Sequence, residues 1–310
     1  YSLNSASCTD ANAATSGNPA SPTTFGSLTG NQLTIPAVNI RAGADILCTF
    51  TNTAITSSIS GRVFNDNSGS TGVAANAYNG TQQAGELGLA GATIRLTNCA
   101  ANPAPADVLA TTQTDGAGDY SFSVVQPSVP NPFCVVESNL NGYTSVSGTT
   151  GYTRSSDSIS IAKTAALAYT GHNFGDARLN LILTSNGQQT TTPSGTVSYP
   201  HILRSESVLS VGTLNTISTE THTYGRTTVL YRDTNCNGAV DGGESTLTSA
   251  IGQLLPNQEI CVVQRVNAPA NATNGAQHVA TLSASYTATV QGGDVLSGSS
   301  NTRTDTTLVG

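Results

Sequence analysis

The chain has 310 residues, 37% of them hydrophobic and only 9% charged, with 31 glycines and neither Met nor Trp. Its formal charge is −7 and Lys163 is the one lysine among 11 basic residues, so no basic patch exists to neutralise phosphates and nucleic acid is excluded as a partner. No apolar run approaches the roughly 18 residues that a membrane helix needs, and the length suits about two or three domains rather than one.

Thr, Val, Ile and Tyr fall in short runs broken by Gly, Asn, Asp and Pro, a pattern of strands and turns that predicts an all-β fold. Residues 1–56 hold a Pro/Ser/Thr-rich loop and two strand-like runs, QLTIPAVNI from Gln32 and ADILCTFTNT from Ala44, with Ile46, Cys48 and Phe50 on one inward face. A single visible hairpin cannot close a two-sheet core, so this region reads as the C-terminal half of a β-sandwich module. Residues 57–177 run through SISGRVFND, a Gly/Asn-rich insertion between Asn67 and Gly85, ATIRLTNC, DYSFSVV, PFCVVES and SISIAKT to HNFGDA, enough strands for a complete sandwich. Residues 178–310 repeat the style with LNLILTS, GTVSYPHILRS, TTVLYRD, EICVVQRV and HVATLSASYTATV, a second complete sandwich. The predicted architecture is a tandem of immunoglobulin-like or prealbumin-like β-sandwiches whose first member is incomplete.

Six cysteines, at 8, 48, 99, 134, 236 and 261, cluster two by two, which pairs Cys8 with Cys48, Cys99 with Cys134 and Cys236 with Cys261. Loops of these lengths contribute about 3.5 to 4 kcal/mol each in the chain-entropy model. Zinc would need close Cys/His spacing, which is absent, so the cysteines point to cystines and an oxidising, extracellular setting.

The segment from Asp233 to Glu244, DTNCNGAVDGGE, places oxygen-bearing residues at the spacing of a calcium loop. Asp233, Asn235, Asn237, the Ala239 carbonyl, Asp241 and a bidentate Glu244 supply the hard oxygens that Ca²⁺ prefers, and Gly238 permits the sharp turn. A strand precedes the segment and no amphipathic helix flanks it, so the expectation is a structural ion in a β loop and not an EF-hand. A second, poorer set consists of Asp66, Asn67 and Glu86, separated by the insertion, which reads equally as a polar loop. The histidines, His172, His201, His222 and His278, stand in strand or turn contexts without a nucleophile elbow and read as scattered surface or partly buried residues, so no enzymatic activity is expected. Asn79 and Asn271 begin sequon-like triplets, read as chance.

On these residues a resemblance can be stated. The middle module, through Gly61, Phe64, Asp66, Glu86, Gly88, Gly91, Asp115, Gly118, Tyr120, Phe122 and Gly175, resembles the B-type repeat of serine-aspartate-repeat adhesins. The resemblance implies a prealbumin-like sandwich that spaces a binding head from the cell and often carries calcium, although the insertion after Asn67 departs from the family's calcium loop. The third module, from TVSYPHIL to TDTTLV, resembles a conserved surface-protein repeat, and the first region resembles the C-terminal half of another, ending in CTFTNT. Some stalk domains of this kind carry an internal Lys–Asn isopeptide bond, which needs a lysine on an early strand beside a buried acid. Lys163 is late in its module, so none is expected here.

The function expected is a structural module of a secreted bacterial surface stalk or extracellular filament, as a processed product or part of a longer chain. Its partners are neighbouring modules or other copies of itself. If Tyr1 is a natural end, a strand from a neighbouring copy would complete the first region head to tail, with residues around Tyr286 to Val309 of one chain against residues 1–56 of the next. The alternative is an adhesin module that binds carbohydrate or a host protein, for which 5% aromatics is a poor supply of stacking surface.

Overall fold

The computed structural model describes residues 1–221 and 224–310. The chain forms two compact units, one comprising Tyr1–Ile59, Phe122–Pro130 and Lys163–Tyr169, the other Ser60–Ser121, Asn131–Ala162 and Thr170–Gly310. Both are β-structure, joined by turns, short 3₁₀ segments and an α-helical turn at Ala13–Ser16.

In the first unit the strands Ser2–Asp10 and Ile46–Thr53 pair antiparallel as a two-stranded sheet, beside a small hairpin of Ser27–Thr29 with Gln32–Thr34. Cys8 stands directly opposite Cys48 and is bonded to it. The buried Asp10 carboxylate ties the sheet to its loops: it accepts hydrogen bonds from the backbone N–H groups of Asn12 and Asp45, from the Asn18 amide and from the Ser16 hydroxyl. The inward face expected of Ile46, Cys48 and Phe50 does not form, because Phe50 is 51% exposed and Ile46 and Cys48 are half-buried. Two strands offer no facing sheet to cover that row.

The second unit contains two sandwiches. In the first of them, Thr144–Gly148, Phe174–Ala177 and the later part of Thr56–Asn65 form one sheet, with the last two strands parallel. The other sheet runs Tyr152–Thr153, Ser158–Ile161, Phe133–Ser138, Thr93–Thr97 and Val108–Gln113, antiparallel throughout. Gly61 and Gly88 lie where backbones touch: a Cβ on either would fall within 2 Å of a carbonyl oxygen, that of His172 or of Ala117. In the second sandwich Leu181–Leu183, Thr196–Ser205, Glu259–Asn267 and Thr227–Asp233 form one sheet. The other has Arg303–Val309 between Gly187–Thr191 and Gln277–Thr289, followed by Leu209–Glu220 and Gly252–Leu254. Strict alternation places Val197, Tyr199, His201 and Leu203 of Thr196–Ser205 inward, opposed by His278, Ala280, Leu282 and Ala284 of Gln277–Thr289. The segment around Tyr286 to Val309 is thus engaged in its own sheet, Arg303–Val309 having a strand on either side.

The two sandwiches share one core. A continuous apolar cluster runs from Tyr78, Val146 and Ala177 of the first to Leu181, Leu203, Leu209, Leu254, Leu282 and Val290 of the second. Tyr78 belongs to the insertion read as a polar loop. It is 5% exposed, and its hydroxyl donates to the Val208 carbonyl at 2.7 Å. The insertion is therefore packed, and polar bonds surround the junction: Asn67 donates to the Glu206 carbonyl, Gly148 N–H to the Gln291 side chain, and Arg154 pairs with Asp294.

Burial of the Tyr78 ring should account for most of its contribution. Urea unfolding is expected to show Tyr78→Ala destabilised by about 3 kcal/mol, and Tyr78→Phe, which loses the hydroxyl and its bond to Val208, by about 1 kcal/mol. Equal losses in the two variants would place the effect in the hydroxyl instead.

Candidate functional site

The loop from Asp233 to Glu244 leaves strand Thr227–Asp233 and returns through backbone bonds from Arg232 N–H to Ser245 O and from Leu247 N–H to Leu230 O. Asp233 is buried at the strand's end, and its two oxygens accept the N–H groups of Asn237 and Gly238. Asn235 Oδ1 accepts from Asn237 N–H, and Asn237 Oδ1 from Ala239 N–H. The amide groups of Asn235 and Asn237 both donate to Asp241 Oδ2, at 2.8 and 2.7 Å. Glu244 folds back over the loop, accepting from Thr234 N–H on one oxygen and from Asp241 N–H on the other. Gly238 has φ +78°, as the turn requires, and Cys236, itself at φ +56°, is bonded to Cys261 on strand Glu259–Asn267. One loop thus gathers all the residues of the expected calcium set, cross-linked by their own hydrogen bonds. Among the described residues no three His, Cys, Asp or Glu side chains are grouped so as to hold a metal ion as they stand.

Asp66 and Glu86 have other work. Asp66 is fully buried, with Oδ1 accepting Tyr78 N–H and Oδ2 accepting both Gly80 N–H and the Ser147 hydroxyl. Glu86 accepts Ser68 N–H and Gln83 N–H on its two oxygens, and burial pushes its carboxyl up to about 7. Together they hold the two ends of the insertion and present Tyr78 to the shared core. Asn67 takes no part in a carboxylate set: its side chain bonds Glu206 O and Gly69 N–H.

The cystine Cys99–Cys134 joins the turn just past strand Thr93–Thr97 to strand Phe133–Ser138 in the first sandwich of the second unit. Lys163, in the first unit, donates its ammonium to the carbonyls of Gln126 and Val129. His222 lies outside the described residues.

The reading of the histidines as scattered surface or partly buried groups is corrected for two of them: His201 and His278 are 2% and 1% exposed. Their alternation with Val197, Tyr199 and Leu203, or with Ala280 and Leu282, was the available signal. His201 Nδ1 lies 2.9 Å from the Thr184 carbonyl and Nε2 lies 2.8 Å from Asp305 Oδ2, which also accepts the Gln264 amide. Both ring nitrogens face acceptors, so the ring must donate twice, as an imidazolium against a carboxylate. Burial works against that charge, but the hydrogen bonds to Asp305 and Thr184 outweigh it and hold His201 above the ordinary imidazole value. The pair fastens strand Thr196–Ser205 of one sheet to strand Arg303–Val309 of the other.

A family model described as a prealbumin-like fold domain matches residues 1–54. No curated protein matches the chain. Among solved structures, the major pilin subunit BcpA of Bacillus cereus is 10% identical, with a TM-score of 0.40 over 81% of this chain and 69% of that one. The shaft pilin SpaA of Lactobacillus rhamnosus GG, as a point variant, is 13% identical with a TM-score of 0.26, over 83% of this chain and 98% of that one. The adhesive subunit CfaE of the CFA/I fimbria of enterotoxigenic Escherichia coli is 10% identical with a TM-score of 0.25, over 72% and 74%. At such scores these likenesses carry no argument about this chain.

A histidine held charged in the fold stabilises it fully below the ordinary imidazole value, and that contribution disappears as pH rises through the raised folded value. The wild-type chain should therefore lose stability to urea above neutral pH, while His201→Asn, already weakened by about 3 kcal/mol for breaking a buried pair, should lack that component. The difference between the two pH profiles is the measurement.

Proposed function

We propose that the chain is a structural module of a secreted bacterial surface stalk or extracellular filament, non-enzymatic, whose work is to hold extension and resist unfolding. The observation that carries this is the second unit, where two sandwiches are fused through one apolar core and each is stapled by its own cystine. Separate beads on a flexible linker would bend at each joint, whereas a shared core keeps direction. The prealbumin-like match over residues 1–54 supports a further module of the same style. In that region the sheet of Ser2–Asp10 with Ile46–Thr53 is only two strands wide, and Leu47 and Phe50 are exposed on it. A strand from a neighbouring copy would pair along its edge and widen it, linking copies head to tail. The donor is not the Arg303–Val309 strand, which is already paired on both sides.

Calcium belongs to the same proposal as a structural ion in the Asp233–Glu244 loop. Asp233, Asn235, Asn237, Asp241, Glu244 and the Ala239 carbonyl would hold it, and the ion would supply charge to the loop's carboxylates, locking the turn that Cys236 anchors. These side chains, Asp233 and Glu244 apart, are exposed and free to reorient toward an ion. Asp66 and Glu86 are buried and committed to backbone donors, so they are left out of the calcium set.

Electron microscopy of the purified chain at rising concentration tests assembly: ordered filaments are expected, their loss in Phe50→Asp would support pairing at the open sheet, and monodisperse rods at every concentration would remove the self-assembly reading. For the ion, calorimetric melting with calcium against chelator should show a rise of about 3 °C in the wild type and none in Glu244→Gln. A rise of equal size in the variant would place the ion elsewhere.

A further inference from the structure

The first sandwich of the second unit encloses carboxyl oxygens that have no donor among the described residues. Glu137, on strand Phe133–Ser138, stands in register with Ile94 of Thr93–Thr97 and shares its inward face. Asp176 lies on Phe174–Ala177 in the other sheet, in register with Asn65. Glu137 is 3% exposed and Asp176 is fully buried. Both oxygens of each, with Asp157 Oδ1, the Tyr152 hydroxyl and Asn65 Oδ1, are buried without a donor–acceptor partner. Seven such oxygens in one sandwich core would be untenable if every carboxyl were ionised.

Among the described residues no cation acts on Glu137 or Asp176. Arg95 pairs in register with Val136, one step along from the Ile94–Glu137 pair, so its side chain leaves on the opposite face of the sheet. The charged and titratable groups that act on Glu137 are Asp176 and Asp157, those that act on Tyr152 are again Asp157, Asp176 and Glu137, and Tyr120 feels Glu137. The Asn139 amide, turned to its satisfied orientation, donates to Asp157 Oδ2 and so accounts for one of the three carboxyls. Glu137 and Asp176, from facing sheets, act on each other's charge, and among the described residues neither has a donor. Two carboxylates accept only; a bond between them requires a proton on one.

A metal ion is the other way to neutralise such a cluster. No three acidic side chains here are grouped to hold one, and buried side chains, unlike those of the exposed calcium-type loop, have little room to regroup. We propose that Glu137 and Asp176 share a single proton at neutral pH, making this sandwich an acid-stabilised element whose core loosens as the medium becomes alkaline. This goes beyond the filament reading and does not depend on it.

The directions agree. Burial first, then the charge of Asp176, holds Glu137 well above the carboxylate range; burial first, then Asp157, raises Asp176; and burial brings Asp157 up to about 6. Carboxyls raised in the fold leave stability complete below the ordinary carboxylate range and withdraw it as pH rises through the folded values, here about 6 and upward. Sharing a proton places the cost of the buried charge on one group instead of two, and it cements the two sheets only while that proton is present.

Infrared spectroscopy of the full chain reads the proton directly. At neutral pH the wild type should show a protonated-carboxyl carbonyl band that Glu137→Gln lacks, and that fades reversibly in the wild type as pH is raised. In parallel, the melting temperature of the wild type should fall by about 5 °C more than that of Glu137→Gln between roughly pH 5 and pH 8. Should Glu137→Gln fail to fold, Asp176→Asn makes the same comparison. Identical spectra for wild type and variant overturn the proposal. So does a calcium-induced rise in melting temperature at alkaline pH that is present in the wild type and lost in Glu137→Gln, because the occupant would then be a cation.

Discussion

Almost everything in the second unit depends on one seam of apolar side chains, running without a break from Val146 and Ala177 through Leu181 and Leu183 to Leu254 and Val290. A chain with 37% hydrophobic residues and no Trp or Met has limited material for two separate cores. Joining them buries the facing ends of both sandwiches, which would otherwise be apolar surface in water. Tyr78 completes the seam from outside either sheet, and the Asp66 and Glu86 carboxylates are used to fold the backbone that delivers it.

Polar groups inside the sandwiches follow a consistent logic. In the second sandwich a histidine and a glutamine from one sheet both bond the same oxygen of an aspartate on the other, Asp305 Oδ2, and His201 is held in its charged form there. In the first, carboxyls meet carboxyls, and a proton replaces the missing cation. Both solutions set a pH below which the two sheets are fastened, so their effects on stability have the same sign.

The cystines act on a different scale. Cys8–Cys48 locks a sheet too narrow to hold itself, Cys99–Cys134 closes a loop in the first sandwich of the second unit, and Cys236–Cys261 binds the exposed calcium-type loop to a central strand. Fibre-forming and stalk-forming roles call for resistance to unfolding over precision at a site, and the distribution of covalent, apolar and buried polar fastenings in this chain fits that demand.

The all-β class was legible because side-chain alternation has a period of two and turn formers punctuate it, and the runs at GTVSYPHILRS and HVATLSASYTATV became strands with the faces that alternation dictates. The cystine partners were legible from distance along the chain, since each cross-link closes a short loop. The spacing from Asp233 to Glu244 is likewise a local property, and the residues do meet in one loop. Sequence could not foretell that Phe50 would be exposed, because exposure is decided by whether a second sheet arrives to cover it. Nor could it assign Asp66, Glu86 and Tyr78 to the seam, or pair His201 with Asp305 and Glu137 with Asp176: these partners are distant in sequence, lie on different sheets or loops, and come together only when the layers pack. Periodicity tells which side chains point inward; only packing decides what they meet there.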